Sequence, residues 1–91
     1  MGKPFNPQLR RAILDVVANQ LRDGTPPETA ATLARLMAEG RSRKQAIEMI
    51  GAVVATEIFE VLKNKQLYDN ARFVAALQAL PLMPWQEEEG K

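Results

Sequence analysis

The chain contains neither cysteine nor histidine. Without cysteine it can form no disulfide, no thiolate metal site and no thiol nucleophile. Without histidine it lacks the side chain most often used as a general base or a metal ligand. Its only serine, Ser42, is placed to cap a helix. We therefore expect a protein that is not an enzyme and that has no catalytic residue, no cofactor and no metal site.

An excess of charge of one sign is also lacking, because 12 Lys and Arg face 11 Asp and Glu and leave a net charge of +1. This balance does not indicate a protein that binds nucleic acid or a membrane surface as a whole.

The chain also lacks a long uninterrupted apolar run. The most apolar segment, residues 43–64, contains Glu48, Glu57 and Glu60, so it does not read as a membrane span. The first residues show no signal-peptide core, and we expect a cytoplasmic protein.

Capping and turn residues divide the chain into four predicted helices. Their expected ranges are 7–23, about 26–39, 43–64 and 70–80. The helix starts follow from Asn6-Pro7, from two capping boxes (Thr25 with Glu28, Ser42 with Gln45) and from Asp69, which are residue types preferred at such positions. The sequence predicts one all-α domain over residues 1–81. An irregular tail, rich in proline and glutamate, is expected over residues 82–91.

The third helix carries apolar residues nearly all round its circumference. Its predicted buried face is broad and consists of Ile47, Ile50, Val54, Ile58, Val61 and Leu62. A helix of this kind is typical of the centre of a bundle. On the second helix, the spacing predicts Ala30, Leu33, Ala34 and Met37 inward and Arg35 outward. The predicted fold is a four-helix domain around a central buried helix.

The central helix has more apolar surface than three short helices easily cover, which favours a homodimer or another protein partner. Gly51 costs about 1 kcal/mol relative to alanine in the middle of a helix, which a close helix crossing would offset. That crossing is expected within the chain, against the fourth helix, or in a second subunit. The interface candidates are Gly51, Ala55, Phe59 and Trp85, the last either folding back on the core or anchoring a partner. We expect a non-enzymatic protein-interaction or homodimerisation module.

Two polar residues, Gln20 and Glu57, fall on apolar helix faces. A buried carboxylate is costly unless it is paired or hydrogen-bonded. One interpretation leaves both residues partly hydrated at the rim of the core. In the other they meet each other, or Glu57 accepts hydrogen bonds from the start of a neighbouring helix or from an arginine such as Arg72.

An alternative function rests on the basic turn before the central helix, formed by Arg41, Arg43 and Lys44. Helix-turn-helix proteins read bases from the start of their second helix. Against this alternative, the central helix becomes apolar immediately after the turn and leaves no polar face for a groove. A nucleic-acid-associated regulator is therefore the second hypothesis.

A series of residues and short motifs lies along the chain in the order Gln20-Leu21, Pro27-Glu28-Thr29, Thr32, Arg35-Leu36, Gly40, Ala46, Ile50, Val54, Glu57-Ile58, Tyr68-Asp69, Arg72 and Leu80-Pro81. This succession resembles a family of short, uncharacterised bacterial all-helical proteins with no assigned activity. The resemblance covers residues 9–81. It implies a helical fold and a bacterial, cytoplasmic setting, and it implies no catalytic residue.

Overall fold

A computed structural model describes residues 7–84. Over that range the chain forms four helices and no strand: α1 (Pro7–Asp23), α2 (Pro27–Ala38), α3 (Arg43–Asn64) and α4 (Asn70–Ala79). The predicted all-α, four-helix fold is confirmed. Helices α1 and α3 lie side by side. They run in the same direction, because Arg10 lies beside Glu48 and Ile13, further along α1, lies beside Gly51, further along α3.

The caps at the starts of α3 and α4 are those predicted. The Ser42 hydroxyl accepts a hydrogen bond from the Gln45 amide, and the Gln45 side chain accepts one from the Ser42 amide, both at 3.0 Å. The Asp69 carboxylate accepts from the Arg72 amide at 3.1 Å. Each cap satisfies amides that the helix itself leaves without partners, and this fixes where α3 and α4 begin.

The cap predicted for α2 is wrong. The helix begins at Pro27 with Pro26 at the N-cap position and has no side-chain cap. Because Pro27 has no amide hydrogen, one of the donors that a cap would satisfy is missing from the start. The Thr25 hydroxyl instead donates to the carbonyl oxygen of Asp23 at 3.4 Å.

The phase of α2 also differs from the prediction. Its buried residues are Thr29, Thr32, Leu33 and Leu36, whereas Ala30, Ala34 and Met37 are exposed. Small alanines define a helix face weakly, and a threonine can be buried when its hydroxyl finds a partner. The helix is therefore rotated so that its two threonines face the core.

The expected outward position of Arg35 is only partly correct, because its side chain is half-buried and bonds to α4. Its guanidinium donates to the carbonyl oxygens of Leu80 at 2.9 Å and Leu77 at 3.2 Å. These carbonyls lie at the end of α4, where a helix leaves acceptors unsatisfied and where a cation is favourable. Arg35 thus ties α2 to the C-terminal end of α4.

The core is built around α3, which contacts each of the other three helices. The buried apolar side chains come from all four helices and are Ile13, Val17, Leu33, Leu36, Ala46, Ile50, Val53, Val54, Phe73, Leu77 and Leu80. Ile50 and Val53 are almost fully inaccessible. The predicted central position of α3 therefore holds for the side that carries these residues.

The opposite side of α3 is uncovered toward its C-terminal end. Ile58, Phe59 and Leu62 have 39%, 58% and 72% of their surface exposed. The prediction that Ile58 and Leu62 share the buried face is wrong. The other three helices all pack around the side of α3 that carries Ile50 and Val54, and no further helix in residues 7–84 covers the other side.

Replacing Ser42 with alanine should remove the α3 cap and destabilise the fold by about 1 kcal/mol. For a domain of this size that lowers the melting temperature by roughly 4–8 °C. The matched control is Thr25→Ala, which removes a hydroxyl that caps no helix and should change the stability by no more than about 0.5 kcal/mol. Thermal melts followed by circular dichroism measure both, and equal losses in the two variants would contradict the observed caps.

Candidate functional site

Helix α3 carries an exposed apolar face formed by Ala52, Ala55, Ile58, Phe59 and Leu62, here called the open face. Its residues are half-buried or exposed. Ala52, Ala55, Phe59 and Leu62 alternate at spacings of three and four, which is the pattern of a helix seam that pairs with another helix. Two interface candidates, Ala55 and Phe59, lie on this face.

A cleft between α1 and α3 adjoins the open face at its N-terminal end. This α1–α3 cleft has a volume of about 250 Å³ and is lined by Arg10, Ile13, Leu14, Glu48, Gly51, Ala52 and Ala55. The cleft exists because the small residues of α3 leave space beside the α1 side chains. Its floor is apolar. Arg10 and Glu48 form a close ion pair at its rim, and both side chains are partly exposed.

Gly51 lies in the floor of this cleft and packs against α1, not against α4 as one prediction had it. A methyl group at this position would lie 3.5 Å from Cγ2 of Ile13 and 3.6 Å from Cδ2 of Leu14. These are ordinary contact distances, so the crossing requires a small residue but not glycine itself. A helix crossing within the chain, against α1, therefore explains the small residue at Gly51.

Phe59 projects from the open face together with Lys63. The Lys63 ammonium lies 5.4 Å from the centre of the Phe59 ring, within the range of a cation–π interaction. The ring is nevertheless more than half exposed. A large aromatic side chain left in water on an apolar helix face is typical of a protein-binding surface.

The other charged cluster joins α3 to the start of α4. Glu57 is buried and accepts two hydrogen bonds from Arg72, from Nε at 3.0 Å and from Nη2 at 2.6 Å. The Asp69 amide also donates to Glu57, at 3.4 Å. This bidentate pairing supplies the hydrogen bonds and the opposite charge that a buried carboxylate requires. Of the two interpretations of Glu57, the one with Arg72 and a helix start as donors is therefore correct.

The pairing shifts the titration of both groups. The hydrogen bond from Arg72 lowers the pKa of Glu57 below the ordinary value of 4.5, and this effect outweighs the opposing effect of burial. The same hydrogen bond raises the pKa of Arg72. Both groups therefore stay charged near neutral pH, so neither is poised to exchange a proton there. The cluster instead docks α4 on α3.

Gln20 is half-buried and does not bond to Glu57. Its side-chain oxygen accepts from the Thr29 hydroxyl at 2.8 Å, which joins α1 to the start of α2. Sequence patterns identified Gln20 and Glu57 as buried polar positions. They missed Thr29 and Arg35, because a threonine or an arginine on a short alanine-rich helix gives no signal of its partner.

The basic turn is only partly bonded within the fold. The Arg41 guanidinium pairs with Glu39 at 3.1 Å. Arg43 and Lys44 are exposed in the first turn of α3. The turn precedes Glu48, which lines the N-terminal end of the α1–α3 cleft. It lies at the opposite end of α3 from Phe59 and Leu62.

The last interface candidate, Trp85, lies outside the described residues, as does the acidic run of the tail. Residues 82–84 form no helix, as predicted for the start of the tail. Met83 packs against the core.

No helix in residues 7–84 is long and apolar enough to cross a membrane. The described part of the chain also contains no cluster of three or more acidic, cysteine or histidine residues arranged to hold a metal ion.

Changing Glu57 to glutamine should destabilise the fold at neutral pH by about 1–3 kcal/mol, because the charged hydrogen bonds to Arg72 are weakened. The pKa of Glu57 is lowered in the folded chain. Its carboxylate therefore stabilises the fold above the unfolded-state pKa, and this contribution is lost as the pH falls through the folded-state pKa. The difference between the wild-type and Glu57→Gln melting temperatures should thus be constant above about pH 5.5 and shrink below about pH 4.5.

Asp15→Asn is the matched control, since Asp15 is an exposed carboxylate on α1. It should leave the stability at neutral pH within about 0.5 kcal/mol of wild type. Equal melting temperatures for Glu57→Gln and wild type at neutral pH would contradict a docking role for this carboxylate.

Comparison with known proteins gives no assignment. No family model matches the chain, and no curated protein or solved structure matches it.

Proposed function

We propose that the protein is a non-enzymatic helical module that binds a second copy of itself through the open face of α3. The observation that carries this proposal is the exposure of Ile58, Phe59 and Leu62 on one side of a helix whose other side forms the core. Burying one such side chain stabilises a complex by roughly 1.5–3 kcal/mol. Leaving three of them side by side in water on a small domain is therefore unfavourable unless a partner covers them.

The composition of the open face favours a second copy as the partner. A two-fold symmetric interface uses the same patch on both subunits, so the patch must contain both its projections and its recesses. Here Phe59 and Leu62 project at one end of the face. The small residues Gly51, Ala52 and Ala55 form a recess at the other end. Opposite charges flank the open face: Glu48, which pairs with Arg10 of the same chain, precedes Ala52, and Lys63 follows Leu62.

The charged residues support a structural role over a catalytic one. Glu57 and Arg72 are bonded to each other at the junction of α3 and α4. Arg35 is bonded to the end of α4. Each of these side chains already holds two helices together, which supports a module that presents a rigid apolar surface. The proposal includes the bacterial and cytoplasmic setting that the sequence resemblance implies.

Light scattering after size-exclusion chromatography, over a range of concentrations, should show a dimer for the wild-type protein. Phe59→Ser should weaken dimerisation at least about 100-fold, because a two-fold interface loses two buried rings and each tenfold corresponds to 1.4 kcal/mol. The matched control is Leu67→Ser, which changes a leucine that is 89% exposed in the loop after α3. This control should dimerise like the wild type.

Both variants should keep the helical circular dichroism of the wild type, since neither side chain belongs to the core. A wild-type protein that stays monomeric up to high micromolar concentration would refute self-association. A dimer that Phe59→Ser leaves unchanged would show that the open face is not the interface.

A further inference from the structure

Resting on the proposed self-association, we infer that the two copies pair their α3 helices antiparallel, centred between Ala55 and Thr56. In this arrangement Phe59 of each copy fills the α1–α3 cleft of the other. Both elements belong to one continuous surface of the same chain, so each copy supplies one ring and one cleft. The resulting interface is closed and limits the assembly to two copies.

The spacing along α3 places large residues opposite small ones. Phe59 lies three and a half residues from the proposed centre, and Ala52 lies the same number of residues on the other side. With a rise of 1.5 Å per residue both are about 5 Å from the centre. An antiparallel pair therefore brings Phe59 of one copy level with Ala52 of the other. Leu62 is level with Met49 of the other copy, about 3 Å along the axis from Gly51.

The α1–α3 cleft suits an aromatic ring in size and in chemistry. Its volume is about 250 Å³, and an apolar protein cavity of about 150 Å³ is known to hold benzene. Ile13 and Leu14 form its apolar walls. Gly51 and Ala52 have no side chain beyond Cβ, which leaves the cleft deep enough for a ring. The Arg10 guanidinium stands at the rim, where it can lie over the face of an entering ring.

The charges that flank the open face favour the antiparallel direction. In that arrangement Glu48 of one copy, which also pairs with Arg10 of its own chain, is level with Lys63 of the other, so opposite charges meet at both ends of the open face. A parallel pair would instead bring the two Glu48 side chains together and the two Lys63 side chains together, which is unfavourable. It would also place Phe59 against Phe59 and leave both clefts unfilled.

The absence of cysteine from the chain permits a direct test with single introduced cysteines. Ala55→Cys should form a disulfide between copies under mild oxidation, because the two positions nearly coincide along the antiparallel helices. Leu62→Cys should not, since its two copies lie about 20 Å apart along the axis and a disulfide requires Cα atoms within about 7 Å. Light scattering under reducing conditions records whether each variant still dimerises.

A second measurement uses the wild-type chain, so it does not depend on any variant retaining the dimer. In a mixture of isotope-labelled and unlabelled protein, isotope-filtered nuclear Overhauser spectra should connect the Phe59 ring of one copy to the Leu14 methyl groups of the other. Such cross-peaks arise only between copies.

The outcomes separate this inference from the proposed function. Cross-linking of both Ala55→Cys and Leu62→Cys would indicate parallel helices and overturn the antiparallel register while leaving self-association intact. A dimer without Ala55→Cys cross-links, or without cross-peaks between Phe59 and Leu14, would overturn the insertion of the ring. A monomeric wild-type protein would overturn the proposed function itself.

Discussion

Helix α3 is apolar on almost every side, and the described chain has only three other helices to cover it. Those helices enclose the side that carries Ile50, Val53 and Val54. The other side begins as a shallow recess at Gly51 and ends as exposed large side chains at Phe59 and Leu62. One side of α3 thus forms the core and another forms the proposed binding surface. A rotation of α3 about its axis would alter both.

Polar contacts hold the enclosing helices at fixed positions against α3. Glu57 accepts from the Arg72 side chain and from the amide of Asp69, the N-cap of α4. Arg35 donates to carbonyls at the end of α4, and Gln20 accepts from Thr29 near the start of α2. Each contact satisfies a buried group or a helix end, where an unsatisfied group is costly. Apolar packing alone specifies helix positions loosely in a core this small. These contacts therefore fix how the other helices are oriented against α3.

Sequence patterns predicted the helix ends and the caps at Ser42 and Asp69, because capping is a local interaction between residues a few positions apart. They placed Glu57 on an apolar face and left open whether it is partly hydrated or bonded, with Arg72 as one possible donor. They failed for the phase of α2, where alanines mark no face and Thr29 is buried through a contact with Gln20. They failed again at Ile58 and Leu62, since periodicity shows that a face is apolar but not whether the chain has a helix left to cover it. The same limit explains why Gly51 predicted a crossing but not that α1 makes it.

In the proposed dimer, one side of α3 is buried by its own chain and the other by a second copy. Methyl relaxation caused by a gadolinium chelate dissolved in the buffer reports both kinds of burial, at protein concentrations below and above the dimerisation midpoint. We expect the Ile50 and Val54 methyl groups to be shielded at every concentration, whereas those of Ile58 and Leu62 are relaxed in dilute solution and become shielded as the concentration rises. Strong relaxation of Ile50 and Val54, or relaxation of Leu62 that does not change with concentration, would rule out this arrangement of α3.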